Sequence, residues 1–177
     1  RLSRGTFEPN RRPVDLVALT REVVELVRTE DRTIHLPDTS VTANVDPALV
    51  ARVIENLLAN AAKYTPAGTP IWVDAQRHDG GALLIVEDAG PGIPPESRAA
   101  VFEPFHRLDP DHPSPGAGLG LTLVAEFARL HGGLAGVGDR GGGGTRFEVW
   151  LPDEPAPHSE GHWPAAPMTP HIATAPA

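Results

Sequence analysis

Residues 55–64 read Glu55-Asn56-Leu57-Leu58-Ala59-Asn60-Ala61-Ala62-Lys63-Tyr64. Asn56, Asn60 and Lys63 recur at i, i+4 and i+7, so a helix gathers them on one face. Val53, Ile54, Leu57, Leu58 and Ala61 supply the opposite, buried side. Asparagine costs a helix about 0.5 kcal/mol relative to alanine at each site, so two in register need a reason. A solvated face explains one asparagine; the aligned Asn-Asn-Lys set suits a ligand better. An amide oxygen is a hard ligand for Mg²⁺, and a lysine one turn on meets phosphate oxygens.

Working outward, Asp46 caps this helix with Pro47 in its first turn, and Pro66-Ala67-Gly68 stops it. Leu16, Leu19, Val23, Leu26 and Val27 mark an earlier amphipathic helix over 14–28, followed by short β segments at 33–36 and 41–45. Strands are expected at 70–77 and 82–87, joined by the hairpin signal Asp79-Gly80-Gly81. The second of them is apolar throughout and belongs at the centre of a sheet. Residues 88–120 are mostly loop with a short helix near 96–102, and so long an irregular stretch usually serves function. A third helix over 119–130 ends at His131-Gly132-Gly133, and strands at 134–137 and 145–151 flank the turn Gly141–Gly144.

Two loops carry further chemistry. Glu87-Asp88-Ala89-Gly90-Pro91-Gly92-Ile93-Pro94 follows the central strand, where a carboxylate can accept from an exocyclic amine while glycines let the backbone approach a flat ring. Taken alone, it is equally a tight turn with a capping aspartate. Pro115-Gly116-Ala117-Gly118-Leu119-Gly120-Leu121 opens the third helix, where exposed N–H groups and the helix dipole suit phosphate. It is neither a Walker loop, for no Gly-Lys-Ser/Thr follows, nor a dinucleotide fingerprint, for the spacing is wrong and no strand precedes it. Between the loops, Phe102-Glu103-Pro104-Phe105-His106-Arg107 is expected to anchor a loop to the core through two aromatics, with Arg107 near a terminal phosphate.

Composition narrows the classes. At 177 residues there is room for one compact domain with tails. The formal charge of −8 opposes a nucleic-acid surface, so a polyphosphate must be held by local dipoles, few cations and a metal. Lys63 is the sole lysine, and there is no cysteine. No apolar run reaches the roughly 18 residues of a membrane span, so no direct membrane contact is expected of this piece. The first residue, Arg1, is not a methionine, so the sequence reads as a piece of a longer protein.

Taken in order, Asn56 to Tyr64, Asp88 to Gly92, Phe102 to Phe105, Gly116 to Gly120, and Gly144-Thr145-Arg146-Phe147 resemble the N-box, first glycine box, F-box, second glycine box and final glycine box of bacterial sensor histidine kinases. The resemblance covers 14–152. It implies an α/β (α+β) sandwich: a mixed sheet of about five strands under three helices, with a mobile lid over ATP. By this resemblance Asn60 is the Mg²⁺ ligand, and Lys63 and Tyr64 approach phosphates and sugar. Asp88 holds the adenine amine, aided by Gly90 and Gly92. Gly116, Gly118, Leu119 and Gly120 hold phosphates, and Thr145 closes the adenine pocket. Asn56, Lys63 and Arg107 are the candidate catalytic residues. Residues 1–13 resemble the linker from a dimerisation and phosphoacceptor domain, and 153–177 form a Pro/Ala-rich tail expected to be disordered.

Related ATPases carry a glutamate where this chain has Asn56, whose amide cannot act as a general base. Glu55 is one residue off, about 100° round the helix. The expectation is a site that holds ATP with little hydrolysis until a histidine is presented. The eight histidines here read as surface or capping residues, so the acceptor lies upstream or on another chain, with a response regulator further on. The setting implied is cytoplasmic, with room for an inner-membrane anchor elsewhere in the full protein. The lid, 108–115, has three prolines and two aspartates, which suggests weak nucleotide affinity. A degenerate nucleotide-binding module and a sigma-factor-regulating serine kinase of the same fold are the alternatives.

Overall fold

In the computed structural model, which describes residues 8–27, 32–106, 118–154 and 173–174, the apolar run 82–86 lies within β5 (Gly81–Asp88). β5 pairs antiparallel with β4 (Ile71–His78) on one side and β7 (Thr145–Pro152) on the other, so it is central as expected. β2 (Ile34–His35) runs parallel to β4 at one edge, and β6 (Leu134–Asp139) runs antiparallel to β7. The two-residue β8 (Ala173–Thr174) adds to β6, giving the order β2-β4-β5-β7-β6-β8. The sheet is therefore mixed, with five strands from the body of the domain and one short addition. The hairpin between β4 and β5 turns on Asp79 and Gly80, both at positive φ, as a tight two-residue turn demands.

Helices α1 (Leu16–Leu26), α2 (Pro47–Tyr64) and α3 (Gly120–Leu130) cover the sheet, with α2 in contact with both of the others. Their spacing-derived faces are the ones buried: Val50, Val53, Ile54, Leu57 and Leu58 of α2 are wholly inaccessible. Asp46 caps α2 by accepting from Ala48 N–H at 2.9 Å and Leu49 N–H at 3.3 Å. Asp15 caps α1 in the same way. The helix expected near 96–102 is two single 3-10 turns, Pro95–Ser97 and Ala100–Phe102.

Two expectations need correction. Residues 1–13 were expected to serve as a linker, yet from Arg12 the chain forms β1 (Arg12–Asp15), which pairs antiparallel with β3 (Thr42–Val45) in a separate ribbon. That pairing joins segments some thirty residues apart, and no local signal announces it. Phe102 does anchor, edge-on to Phe147 with centroids 6.4 Å apart, but Phe105 does not: it is 72% exposed at φ +63°. His131, expected at the surface or capping, is the C-cap of α3 and is fully buried. The lid, Arg107, Gly116 and residues 155–172 and 175–177 of the tail lie outside the described residues.

His131 sits where segments far apart in sequence, at residues 10–11, 46 and 152, come together. Its Nε2 accepts from Asp46 N–H at 3.0 Å, and its Nδ1 lies 2.7 Å from Phe127 O, so the neutral ring donates from Nδ1. Arg11 Nη2 donates to His131 O at 2.6 Å and Pro152 O at 3.0 Å, and Asn10 N–H donates to Asp46 Oδ2 at 2.8 Å. Burial, foremost, lowers the pKa of His131. Between that lowered value and about 6.5 the unfolded chain therefore binds a proton that the folded chain refuses, so stability rises with pH through this window and levels above it. Urea unfolding between pH 5 and 7 should show a rising midpoint that His131→Gln flattens; an unchanged slope in the variant would show that His131 does not titrate against folding.

Candidate functional site

The end of β5, the end of α2 and the start of α3 enclose a cavity of about 580 Å³. Its polar wall comprises Asn60, Lys63, Tyr64, Thr65, Asp88, His106 and Thr145, and its apolar wall includes Ile93, Val101 and Leu121. Tyr64 lies under the ammonium of Lys63, whose Nζ is 4.9 Å from the ring centroid.

Asp88 is the fixed point. It ends β5 directly opposite Thr145 of β7, only 4% exposed, and accepts from Gly90 N–H at 2.9 Å. Burial raises its pKa above the ordinary carboxylate value, against the pull of hydrogen bonds from Gly90 and Thr145 and the charge of Arg140. Two glycines make this seat possible. A Cβ on Gly144, at φ +112°, would stand 1.9 Å from Asp88 O, and one on Gly90 would stand 2.6 Å from Thr65 Cγ2. No side chain fits at either place without moving backbone or wall.

The helix face is divided in its duties. Asn60, Lys63 and Tyr64 reach the cavity, whereas Asn56 lies a turn away from it. Asn56 Nδ2 donates to Arg52 O at 2.7 Å, and a Cβ on Gly120 would stand 3.0 Å from its Oδ1. Asn56 thus meets the second glycine turn rather than the cavity wall. Gly118, at φ +71°, packs against Phe105 and His106, and its carbonyl accepts from Phe105 N–H at 3.1 Å. Leu119 is partly exposed and gives α3 no side-chain cap. Gly92 is on the cavity wall and Gly90 lies just behind it. The two glycine turns and the polar helix face are therefore brought together, with Leu121 representing the second turn on the wall itself. Arg107 and Gly116 lie outside the described residues.

Sequence reasoning missed Thr65, His106, Arg140 and the apolar wall. Ile93, Val101 and Leu121 look like ordinary core positions, and nothing in their spacing marks them as lining a cavity. Arg140 follows β6, stacks on Trp72 with its guanidinium 3.9 Å from the ring centroid, and approaches Glu87 at 3.8 Å. Its local signal was only a charge beside a glycine run. Among the described residues no group of three or more His, Cys, Asp or Glu is placed to hold a metal. Nor, among them, is any helix long and apolar enough to cross a membrane.

A sequence profile of the histidine kinase-, DNA gyrase B- and HSP90-like ATPase family matches residues 45–155. The chain belongs to this family. Within it, the chain is a catalytic ATP-binding domain of the sensor histidine kinase type. It is 40% identical over 161 residues to the signal transduction histidine-protein kinase/phosphatase MprB of Mycobacterium avium (strain 104), covering 86% of this chain and 31% of that protein. The chain thus spans about a third of the length of such curated relatives. The solved structure of a mycobacterial sensor histidine kinase MprB superposes with a TM-score of 0.70 at 35% identity, covering 82% of this chain and 99% of that one. Full-length ShkA in complex with AMPPNP superposes with a TM-score of 0.68 at 32% identity, covering 82% of this chain and 32% of that one.

Because folding raises the Asp88 pKa, the folded ATP-binding domain holds that proton more tightly than the unfolded chain does, and the ionised group costs stability at neutral pH. Asp88→Asn should melt at the same temperature as the parent or higher, yet bind ADP at least about tenfold more weakly. A lower melting temperature would show that the carboxylate's bonds outweigh its burial.

Proposed function

We propose that this domain binds Mg-ATP in the Asp88 cavity and transfers the γ-phosphate to a histidine on a dimerisation and phosphoacceptor domain, in the same protein or on another chain. The observation that carries this reading is the convergence of Asn60, Lys63, Asp88 and Thr145 on one cavity with an apolar wall. The buried carboxylate of Asp88 accepts from the adenine amine, Thr145 closes the same end, and Ile93, Val101 and Leu121 offer an apolar surface to the flat ring. Lys63 and Tyr64 attend the phosphates and sugar. The uncapped N-terminus of α3, with Gly118, Leu119 and Gly120, supplies backbone N–H groups to the phosphates. That the ShkA relative was solved in complex with AMPPNP supports a nucleotide as the occupant.

The donor set fits Mg²⁺ held chiefly by substrate. Asn60 offers one amide oxygen, and Mg²⁺ commonly takes one or two protein ligands, with substrate phosphates and waters completing its shell. The ion supplies charge neutralisation at the phosphates. The polar face of α2 offers hydrolysis no base: Glu55 pairs with Arg52 at 2.7 Å on the outer side of α2, and Asn56 turns its amide to the helix backbone. ATP is thereby kept for an incoming imidazole. Arg107, placed by sequence alone, is the proposed cation near the terminal phosphate.

The acceptor domain has a landing place beside the cavity. Phe105, Leu119 and Leu123 are 72%, 39% and 41% exposed; Leu119 and Leu123 are one turn apart, and Gly118 ties Phe105 to them. A bulky residue at positive φ is rare, and a grouped apolar exposure of this kind suits a partner surface. Residues 1–13 as the link to that domain, residues 153–177 as a tail, a response regulator as the next acceptor and a cytoplasmic setting belong to the same proposal.

Incubation with labelled ATP and an acceptor domain taken from a relative tests it. Label should pass to the acceptor histidine, remain absent from this chain alone, and fail to pass with Asp88→Asn or Asn60→Ala. Nucleotide binding without transfer to any acceptor would leave a binding module instead. Phe105→Ser combined with Leu123→Ser should cut transfer at least about tenfold while ADP binds as in the parent; equal transfer would remove the apolar patch from the account.

A further inference from the structure

Arg32 belongs to none of the boxes, yet it grips the cavity's helix from outside. It precedes β2, where Thr33 O accepts from Ile71 N–H at 3.0 Å and fixes the local backbone. Its Nη2 donates to Ala62 O at 2.6 Å and to Thr65 O at 2.9 Å, and its Nη1 donates to Thr65 Oγ1. The last carbonyls of a helix have no donors of their own and carry the negative end of the dipole. A guanidinium fork satisfies several of them at once, where an ammonium would act as a single point.

What Arg32 holds is part of the cavity. Thr65 is 8% exposed and lines it. The Thr65 hydroxyl donates to Ala61 O at 2.6 Å while accepting from Arg32. Its methyl occupies the space that a side chain on Gly90 would need, and Gly90 N–H in turn donates to Asp88. An unbroken series of contacts thus runs from Arg32 through Thr65 and Gly90 to the carboxylate. By contrast, Arg52 and Arg129 pair with glutamates three residues away on their own helices and touch no cavity residue in doing so.

We propose that Arg32 is a positioning residue of the nucleotide pocket, clamping the end of α2 so that Thr65 and the first glycine turn hold Asp88 in register with the adenine amine. The inference rests on the adenine reading of the cavity proposed above. Loss of the clamp lets the Thr65 wall move relative to Asp88, and base recognition suffers more than phosphate binding does.

Titration calorimetry of the 177-residue chain with ADP and with GDP tests it. Arg32→Ala should weaken ADP binding about five- to tenfold and narrow the preference for ADP over GDP. Thr65→Val keeps the branched shape but loses the hydroxyl, and should move both quantities the same way by a smaller amount. Arg77→Ala, which breaks the Arg77–Asp153 pair away from the cavity, serves as the stability control and should leave the ADP-to-GDP ratio alone. If Arg32→Ala lowers only the melting temperature, with ADP affinity and base preference as in the parent, the inference is overturned. Should that variant fail to fold, an unaltered base preference in Thr65→Val overturns it equally. A parent chain that binds no ADP would instead remove the adenine reading, and this inference with it.

Discussion

A carboxylate buried at the end of the central strand is the constraint around which this domain is arranged. Asp88 is almost fully withdrawn from water, and burial dominates its ionisation. An isolated ion there would be costly, so its surroundings must supply donors at short range. The two neighbouring glycine turns do so because neither carries a side chain: Gly90 turns its N–H back onto the carboxylate, and Gly144 lets the β6–β7 hairpin close over the strand end. Everything else in the cavity is positioned relative to that point.

The second organising feature is the length of α2. Its N-terminus is tied at Asp46 to His131 and to the chain's first described residues, and its C-terminus is tied at Thr65 to Arg32. Held at both ends and buried along one side, the helix has little freedom to rotate or slide. Asn60, Lys63 and Tyr64 therefore face the cavity from a rigid support, which is what a site that must align a triphosphate needs. Neither tie is visible in a local reading, because each joins residues tens of positions apart.

Much of the fold was legible in the sequence because its signals were local and reinforced one another. The apolar run 82–86 became the central strand, Asp46-Pro47 opened α2, and the polar face of that helix arrived at the cavity. What was not legible was of two kinds. Long-range pairing, such as β1 with β3, leaves no mark in spacing. Solvent exposure of a single aromatic depends on what packs over it, so Phe105 was expected to anchor a loop and instead stands out from the surface. Within the site, the polar members stood out as costly choices in their local settings, whereas Ile93, Val101 and Leu121 are indistinguishable from core residues until the cavity is seen. Asn56 shows the limit of face-sharing: it lies on the right stripe, yet one turn short of the cavity.

The measurement that bears most directly on the central claim is amide hydrogen exchange of the whole chain with and without Mg-ADP. The account predicts coincident protection, at one nucleotide concentration, of segments around 60–65, 88–93, 118–121 and 145, because all four surround one occupant. Protection confined to one of these segments, or appearing elsewhere on the surface, would contradict a shared pocket.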